Sequence, residues 1–238
     1  MGGMSTRSFL MTHTQPHLTD AERKALNDSV SETRRIAARQ VIVREGVPLT
    51  NCTLLTKGFI HRYKDTEDGR RQILAMHIPG DFVDLHSYPL KRLEHSVAAT
   101  TDVEVELFPH KAIRHLTTIS PNLTELLWRS TLIDAAINRE WLLSIGARPA
   151  AQRIAHLLCE LRARMERVGL ADERGFELPI TQIDLADATG LTPVHTNRML
   201  RQLRSDGLVE FREKRVVIHD LTALCDFADF DPSYLFFD

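Results

Sequence analysis

The chain has 238 residues, of which 43% are hydrophobic and 26% charged, with a formal net charge of −2 at pH 7. This is the composition of a globular protein with room for one large domain or two modest ones. The weakly acidic balance does not exclude nucleic acid, because binding depends on where the basic residues lie. Cys52, Cys159 and Cys225 are odd in number and fit no metal spacing, which favours the reducing cytoplasm. No apolar run approaches the length of a membrane span, so no membrane partner is expected.

The first residues are polar and show no periodicity, and we predict a flexible tail over residues 1–18. The run LTDAERKALNDSV then predicts a short helix, because Thr19 and Glu22 have the spacing of a capping box. This helix opens a first domain that we assign to residues 19–121.

From Gln40 to about Pro109 the sequence consists of short β-type runs separated by turn residues. The runs are QVIVREG, CTLLTKGFIHRYK, RRQILAMHI, HSVAAT and VEVELFP. DTEDGR lies between two of them as a hairpin connection, and IPGDF forms another turn. Regular short strands of this kind predict a β-barrel or jelly roll.

Residues 122–146 change to helical periodicity, with two apolar stripes rather than one. One stripe consists of Trp128, Leu132, Ala135, Ala136 and Leu142, and the other, in 3-4 heptad spacing, of Leu123, Leu126, Ser130, Ile133 and Ile137. One stripe can cover the chain's own barrel, and the other then needs a partner, for which a parallel copy of the same helix is the simplest. We assign the heptad stripe to a dimer interface. A helix buried on both sides within one domain is the alternative.

Gly146 and Pro149 mark a break, and we assign residues 147–238 to a second domain. AAQRIAHLLCELRARMERVG predicts a helix and GFELP a short extended piece. Further on, LVEF and RVVIH are joined through REK as a small hairpin, and Asp220 is placed to cap a last helix, LTALCDFAD.

The segment ITQIDLADATGLTPVHTNRMLRQLRSDGLV, residues 180–209, contains two helical patterns on either side of Gly190. Thr181 can cap the first helix and Thr192 the second, with Pro193 at the favoured first position. Gly190 supplies the positive φ that a sharp turn needs. The segment therefore predicts a helix-turn-helix.

The second of these helices has an apolar and a polar face. Its inward residues are Thr196, Met199, Leu200 and Leu203, and its outward residues are Val194, Asn197, Arg198, Arg201 and Ser205. A helix held by its apolar face, with amide and guanidinium groups on the other, meets the requirements of major-groove reading, and the hairpin that follows would form a wing. An ordinary helical hairpin with a solvated charged face is the alternative.

This segment and DGRRQILAMHIPGDF resemble the Crp/Fnr family, the bacterial transcription factors that include the cyclic-AMP receptor protein and the fumarate-nitrate regulator. The resemblance covers nearly the whole chain. It implies an α+β fold with an N-terminal cyclic-nucleotide-binding-type β jelly roll, a long dimerisation helix and a C-terminal winged helix-turn-helix. It also implies a homodimer that binds palindromic double-stranded DNA and acts on RNA polymerase.

The recognition helix departs from the receptor-protein members, whose motif Ser-Arg-Glu-Thr-Val-x-Arg touches base edges through its first Arg, its Glu and its last Arg. Of these three only Arg198 is kept here. The methyl groups of Val194 can contact a thymine methyl, and Asn197 can pair with adenine. The predicted DNA-binding residues are Thr181, Thr192, Pro193, Val194, His195, Asn197, Arg198 and Arg201.

The sensor segment also departs from the members that bind cyclic AMP, in which a Glu bonds the ribose and an Arg pairs with the phosphate. Leu85 falls at the Glu position and His95 at the Arg position, and only Ser96 is kept. Leucine accepts no hydroxyl proton, and a histidine is mostly neutral at pH 7. On the long helix the adenine-contacting Thr-Ser becomes Asn138-Arg139. We therefore do not predict cyclic AMP as the effector.

Other modes of sensing known in the family fit no better. Iron-sulfur members need a group of N-terminal cysteines, and none precedes Cys52 here. A carbon-monoxide-sensing haem member has a histidine at the position of His86, but Asp84 replaces its ferric cysteine ligand. Haem thus stays an alternative, beside an unknown ligand or none, and no cofactor is predicted. The candidate pocket residues are Asp84, Leu85, His86, Ser87, His95, Ser96, Asn138 and Arg139.

An enzyme or a pure ligand-binding module is the competing class. The sequence has no glycine-rich phosphate loop, nucleophile elbow or paired catalytic carboxylates, and no metal site is predicted from its spacing. A module that only bound ligand would not need the basic second helix. We therefore predict a cytoplasmic DNA-binding regulator without catalytic residues.

Overall fold

The computed structural model describes residues 9–10 and 18–237, which form two compact units. The first unit takes the described residues up to Tyr63, then Met76–Ala135, Phe236 and Phe237, and the second takes Lys64–Ala75 and Ala136–Leu235. The predicted division at residues 121 and 146 left the long helix apart from both domains. In the structure each half of that helix belongs to a different unit.

Two antiparallel sheets form the body of the first unit, although residues 64–75 of one of them belong to the second unit. The strands are β1 (Glu32–Ile36), β2 (Val41–Val43), β3 (Asn51–Lys57), β4 (Ile60–Asp65), β5 (Arg71–His77), β6 (Ser96–Ala99) and β7 (Val103–Pro109). One sheet has the order β1-β7-β3 and the other β2-β6-β4-β5. Apolar side chains from both, among them Leu55, Ile60, Val97 and Val105, share one core, which is the packing of a β-sandwich. The predicted jelly roll is confirmed.

Helices of the first unit enclose a second apolar cluster. They are α1 (Asp20–Asp28), α2 (Ser87–Leu90), α3 (His110–Ile119) and the first half of α4 (Pro121–Ala147). The capping box of Thr19 and Glu22 is present at the start of α1. Phe9 is fully buried in this cluster, with its ring 5.1 Å from that of Phe82 in an edge contact. The predicted flexible tail is thus wrong at Phe9 and at buried Leu18, while residues 1–8 and 11–17 lie outside the described residues.

The second unit consists of helices packed on α5, beside a small sheet. Its further elements are α5 (Ala150–Arg167), β8 (Ala171–Asp172), β9 (Gly175–Glu177), α6 (Gln182–Thr189), α7 (Pro193–Ser205), β10 (Val209–Arg212), β11 (Arg215–Ile218), α8 (Leu221–Ala228) and a 3-10 turn (Pro232–Leu235). The sheet order is β10-β11-β9-β8, and α5 contacts α6, α7 and α8. Gly175 is required in this sheet, because a Cβ there would lie 1.9 Å from the carbonyl oxygen of Val216.

A fully buried carboxylate lies at the centre of the second unit. Glu160 of α5 accepts hydrogen bonds from Nε1 of Trp141, Nη1 of Arg164 and the hydroxyl of Tyr234, each at 3.0 Å. Burial raises the pKa of Glu160, so the ionised form depends on these donors. They tie α4, α5 and the C-terminal turn together.

The exposure of α4 reverses the predicted assignment of its two stripes. The residues predicted to form the dimer interface, Leu123, Leu126, Ser130, Ile133 and Ile137, are at most 8% exposed in a single chain. Leu123 and Leu126 belong to the core of their own first unit. Trp128, Leu132 and Leu142 are instead 66%, 54% and 73% exposed. The prediction was wrong because both stripes have helical spacing, and only the packing of the chain decides which one is covered.

None of the helices in the described part of the chain combines the length and apolar character that a bilayer crossing needs.

Burial of His156 predicts a loss of stability in acid. The ring stacks on Tyr234, and burial together with nearby Arg148 lowers the pKa of His156 to about 4. As the pH falls, the His156 imidazole takes up a proton near pH 6.5 in the unfolded chain but only near pH 4 in the folded chain. Protonation therefore stabilises the unfolded state first, and the folded protein loses stability as the pH falls from 6.5 towards 4. The free energy of unfolding should fall between pH 7 and pH 4.5 in both proteins, and we expect the fall to be about 2–3 kcal/mol smaller in a His156→Phe variant than in the wild type.

Denaturant unfolding at both pH values measures this difference. His219→Phe is the matched control, because His219 is exposed on the same unit, and this variant should follow the wild type. Equal losses in the His156→Phe variant and the wild type would contradict the prediction.

Candidate nucleic-acid interface and ligand pocket

Side-chain caps define both helices of the helix-turn-helix. Thr181 and Asp184 form a capping box at the start of α6, and α6 ends at Gly190 with φ at 66°. The Thr192 hydroxyl accepts a hydrogen bond from the His195 amide at 3.2 Å, and Pro193 occupies the first turn of α7. The predicted caps and turn are confirmed. The Thr181 and Thr192 hydroxyls are thus engaged in capping the two helices.

Helix α7 is anchored on one side and open on the other. Thr196, Leu200 and Leu203 are buried, and Met199 is half-buried. On the opposite side Val194 is 83% exposed, and Arg198 and Arg201 are exposed as well. This face carries an apolar group and two guanidinium groups, which are the chemical types that read thymine methyls and guanine edges.

Asn197 is not a free amide on this face. Its Nδ2 donates to Oε1 of Gln182, the first residue of α6, at 3.0 Å, and His195 beside it is half-buried. Gln182 was not among the predicted residues, since a contact across fifteen positions leaves no periodic signal. The bond fixes the orientation of the Asn197 amide and leaves its carbonyl oxygen to accept from a base.

The wing is a tight two-residue hairpin. Glu213 and Lys214 connect β10 to β11 with φ values of 52° and 63°, as in a type I′ turn. Arg215 is paired with Glu177 at 2.9 Å and with Asp172, whereas Lys214 stands exposed at the tip. Lys214 is therefore the wing cation available to a phosphate.

The outer end of the β4–β5 hairpin belongs to the same unit as the helix-turn-helix. Nε2 of Gln72 donates to the carbonyl oxygen of Asp187 at 2.6 Å. A groove of about 650 Å³ lies beside this bond and extends from Arg70 and Arg71 to Thr192 and Pro193. It is separate from another open groove, of about 690 Å³, that α3 and α4 line. The hairpin thus reaches the turn that precedes α7.

The structure corrects the pocket prediction for Asp84, Leu85 and Ser87. Asp84 is 1% exposed and accepts hydrogen bonds from the amide and hydroxyl of Thr53, while burial raises the pKa of Asp84 to about 6. Leu85 packs in the core, and Ser87 is fully buried within 3.2 Å of Nε2 of His110. These side chains are committed to the fold because the chain turns inward here and inserts them between β3 and α3.

His86 and His95 are brought together, although they are nine positions apart in the chain. Their ring centroids lie 5.5 Å apart, and Nδ1 of His95 lies 2.9 Å from Oε1 of Glu94. Burial, and then the charge of Arg62, lowers the pKa of both imidazoles, that of His86 to about 4. Both rings are therefore neutral at pH 7. The sequence offered no sign that Glu94 would join them.

A buried ion pair lies beside these rings. Nη1 of Arg62 donates to Asp134 at 2.6 Å, and its Nε donates to the carbonyl oxygen of Val83. Burial would raise the pKa of Asp134, but Arg62 reverses this and holds the pKa below its usual range. The Arg62 guanidinium beside the rings is thus already paired with a carboxylate.

The other predicted pocket residues, Ser96, Asn138 and Arg139, are not part of the cluster of His86, Glu94 and His95. The Ser96 hydroxyl accepts a hydrogen bond from the Glu45 amide at 3.1 Å. Asn138 and Arg139 lie on the second half of α4, Asn138 half-buried and Arg139 exposed.

The fold and this site together define a class: a DNA-binding transcription regulator with a sensor-type β-sandwich and a winged helix-turn-helix. Two family models match the chain, the cyclic nucleotide-binding domain over residues 33–119 and the Crp-like helix-turn-helix domain over residues 152–227. The chain belongs to the Crp/Fnr family of transcription regulators, and is not an enzyme.

Three similar proteins support this membership. The transcriptional activator protein FnrL of Cereibacter sphaeroides is 29% identical over 216 residues, covering 89% of this chain and 86% of that protein. A probable transcriptional activator of Rhizobium leguminosarum bv. viciae is 29% identical over 192 residues, covering 80% and 79%. The structure of FixK2 from Bradyrhizobium japonicum has a TM-score of 0.75 at 26% identity, covering 82% of this chain and 96% of that one.

Proposed function

We propose that the chain is a homodimeric regulator that binds a palindromic operator in the cytoplasm through α7 of each copy and, once bound, acts on RNA polymerase. The observation that carries this proposal is the other stripe of α4, the one that contains Trp128 and stays exposed in the single chain. Glu125, Trp128, Leu132, Ala135, Arg139 and Leu142 follow one another at alternating spacings of three and four residues. Trp128, Leu132 and Leu142 expose large apolar side chains in the single chain.

A second copy of α4 is the occupant that fits this stripe best. The 3-4 spacing is the seam of a parallel coiled coil, in which each copy presents the same residues to the other. The groove beside it, about 690 Å³ and lined by Trp128, Leu132 and Pro121, offers room for the partner's side chains. Two recognition helices related by such a two-fold axis would address half-sites about 34 Å apart.

Charges in this stripe should separate the copies without unfolding them. We expect a Leu132→Asp, Leu142→Asp double variant to be monomeric, because four carboxylates in an apolar dimer seam cost several kcal/mol. Sedimentation velocity measures the state, and operator binding should be lost with it. Leu170→Asp, on another exposed leucine, is the control and should stay dimeric. A dimer that survives both substitutions in α4 would refute this interface.

Base readout is proposed to rest on Arg198, with Val194 and Asn197 beside it. Arg198 is exposed in the middle of the outer face, where a guanidinium can pair with guanine O6 and N7. The Gln182 bond presents the Asn197 carbonyl oxygen in one orientation, as a contact to an adenine amine requires. Thr181, Thr192, Pro193, His195 and Arg201 would contact the backbone around these positions.

Replacing Arg198 by Ala should cost roughly 1–3 kcal/mol of operator affinity and relax preference at one base pair. Selection of bound sequences from random duplex DNA, repeated with the variant, measures both effects. Arg204→Ala is the control: Arg204 lies at the end of α7 beside Glu210, and its loss should leave the preferred sequence unchanged. If Arg198→Ala weakened every DNA equally, Arg198 would be a phosphate contact and the docking of α7 would be different.

The effector is proposed to be a small ligand other than cyclic AMP. Leu85 stands in the core at the position of the family's ribose-binding Glu, an imidazole, His95, stands at the position of its phosphate-binding Arg, and nearby Arg62 is paired with Asp134. We expect operator affinity to be unchanged when cyclic AMP is added to the purified protein. A fluorescence-anisotropy titration checks this, and a saturable rise in affinity with the nucleotide would overturn it.

A further inference from the structure

Three side chains of the first unit can hold a metal ion between them. His86, Glu94 and His95 each offer a ligand atom, and these atoms all lie within 4.8 Å of one another. Metal–nitrogen bonds of about 2.0–2.1 Å require donor atoms roughly 3.3 Å apart in a tetrahedral site. The donors therefore need to approach by about 1.5 Å, and the Glu94 side chain, 69% exposed, is free to rotate.

A second observation, separate from the spacing of the donors, also points to a bound ligand: a buried ring nitrogen of His95 has no hydrogen-bond partner among the described residues. Its side chain is 4% exposed, and Nδ1 lies against the Glu94 carboxylate. Among the described residues, none hydrogen-bonds to its buried Nε2. In the metal-free chain a carboxylate at Nδ1 favours the tautomer that leaves a lone pair on Nε2, and Glu94 has to rotate away from Nδ1 to reach a metal ion bound there. A buried nitrogen without a partner is costly in a core, and a metal bond would satisfy it.

The surrounding charges favour a cation. Arg62, Asp134 and Glu94 are the charged groups that act on the two rings, and together they carry one net negative charge. Arg62, the cation that acts on both rings, is paired with Asp134 at 2.6 Å.

We propose that the chain binds one divalent first-row transition-metal ion through His86, Glu94 and His95. Two imidazoles and one carboxylate suit Zn²⁺, Fe²⁺ or Co²⁺ better than Mg²⁺ or Ca²⁺, which prefer oxygen ligands. Three protein ligands leave at least one coordination position to water or to a small exogenous ligand. This inference does not depend on the proposed function, because the site lies within the first unit alone.

The test uses full-length protein stripped with a chelator and then titrated with Zn²⁺ against a competing chromophoric chelator. We expect one tight site per chain, and X-ray absorption at the zinc edge should show two imidazole ligands. With Co²⁺ the protein should develop visible absorption. His86→Gln and His95→Gln should each lower the affinity by at least about 100-fold, and Glu94→Gln by roughly 10–100-fold.

Two controls separate this site from other histidines. His110→Gln changes a histidine of the same unit that lies outside the cluster, and it should bind like the wild type. A His13→Gln, His17→Gln variant removes two histidines of residues 11–17, which lie outside the described part of the chain, and it should also keep the site.

The proposal is overturned if the stripped wild type takes up no Zn²⁺, or if His86→Gln and His95→Gln bind as the wild type does. Glu94 is exposed, so the Glu94→Gln variant tests the site even if a buried histidine variant fails to fold. Operator binding, measured in chelator, reports separately on the proposed regulator.

Discussion

Glu160 is buried in the middle of α5, and its carboxylate is held by Trp141 from α4, Arg164 from α5 and Tyr234 from the C-terminal turn. A carboxylate in this position is tolerated only while its donors surround it, because removing one partner of a buried charge leaves the other unsolvated. The three elements are therefore fixed together. Helix α5 in turn is the surface on which α6, α7 and α8 pack, so this carboxylate holds in place the helix that supports the recognition helix.

The first unit uses a buried charge in a different way. Arg62 and Asp134 pair with each other beside the rings of His86 and His95. The Glu94 carboxylate, which reaches the solvent, lies against His95. The proposed metal site uses these nitrogen and oxygen donors, which suit a cation better than an anion.

The single chain leaves two helix faces uncovered, and the proposed function uses both of them. On α7 the exposed face carries Val194, Arg198 and Arg201, while Thr196 and Leu203 hold the helix in place. On α4 the exposed face carries Trp128, Leu132 and Leu142. The first face is charged and suits a groove in DNA, whereas the second is apolar and suits another copy of itself. A dimer made through the second would present two copies of the first, as a palindromic site demands.

The sequence alone determined the features whose causes lie within a few residues: the Thr19, Thr181 and Thr192 caps, the turn at Gly190, the short strands and the hairpin at Glu213 and Lys214. Each rests on hydrogen bonds or backbone angles that neighbouring residues decide, whereas the family was identified from the resemblance of two longer segments, residues 180–209 and DGRRQILAMHIPGDF. Tertiary structure alone decided which stripe of α4 is covered, because both stripes have the same helical period. It also placed Phe9 in the core, committed Asp84 and Leu85 to packing, set Gln182 against Asn197, and joined Glu94 to His86 and His95. These contacts bring together residues that are distant in the chain or belong to different elements, and which surfaces meet depends on the packing of the whole unit rather than on any local pattern.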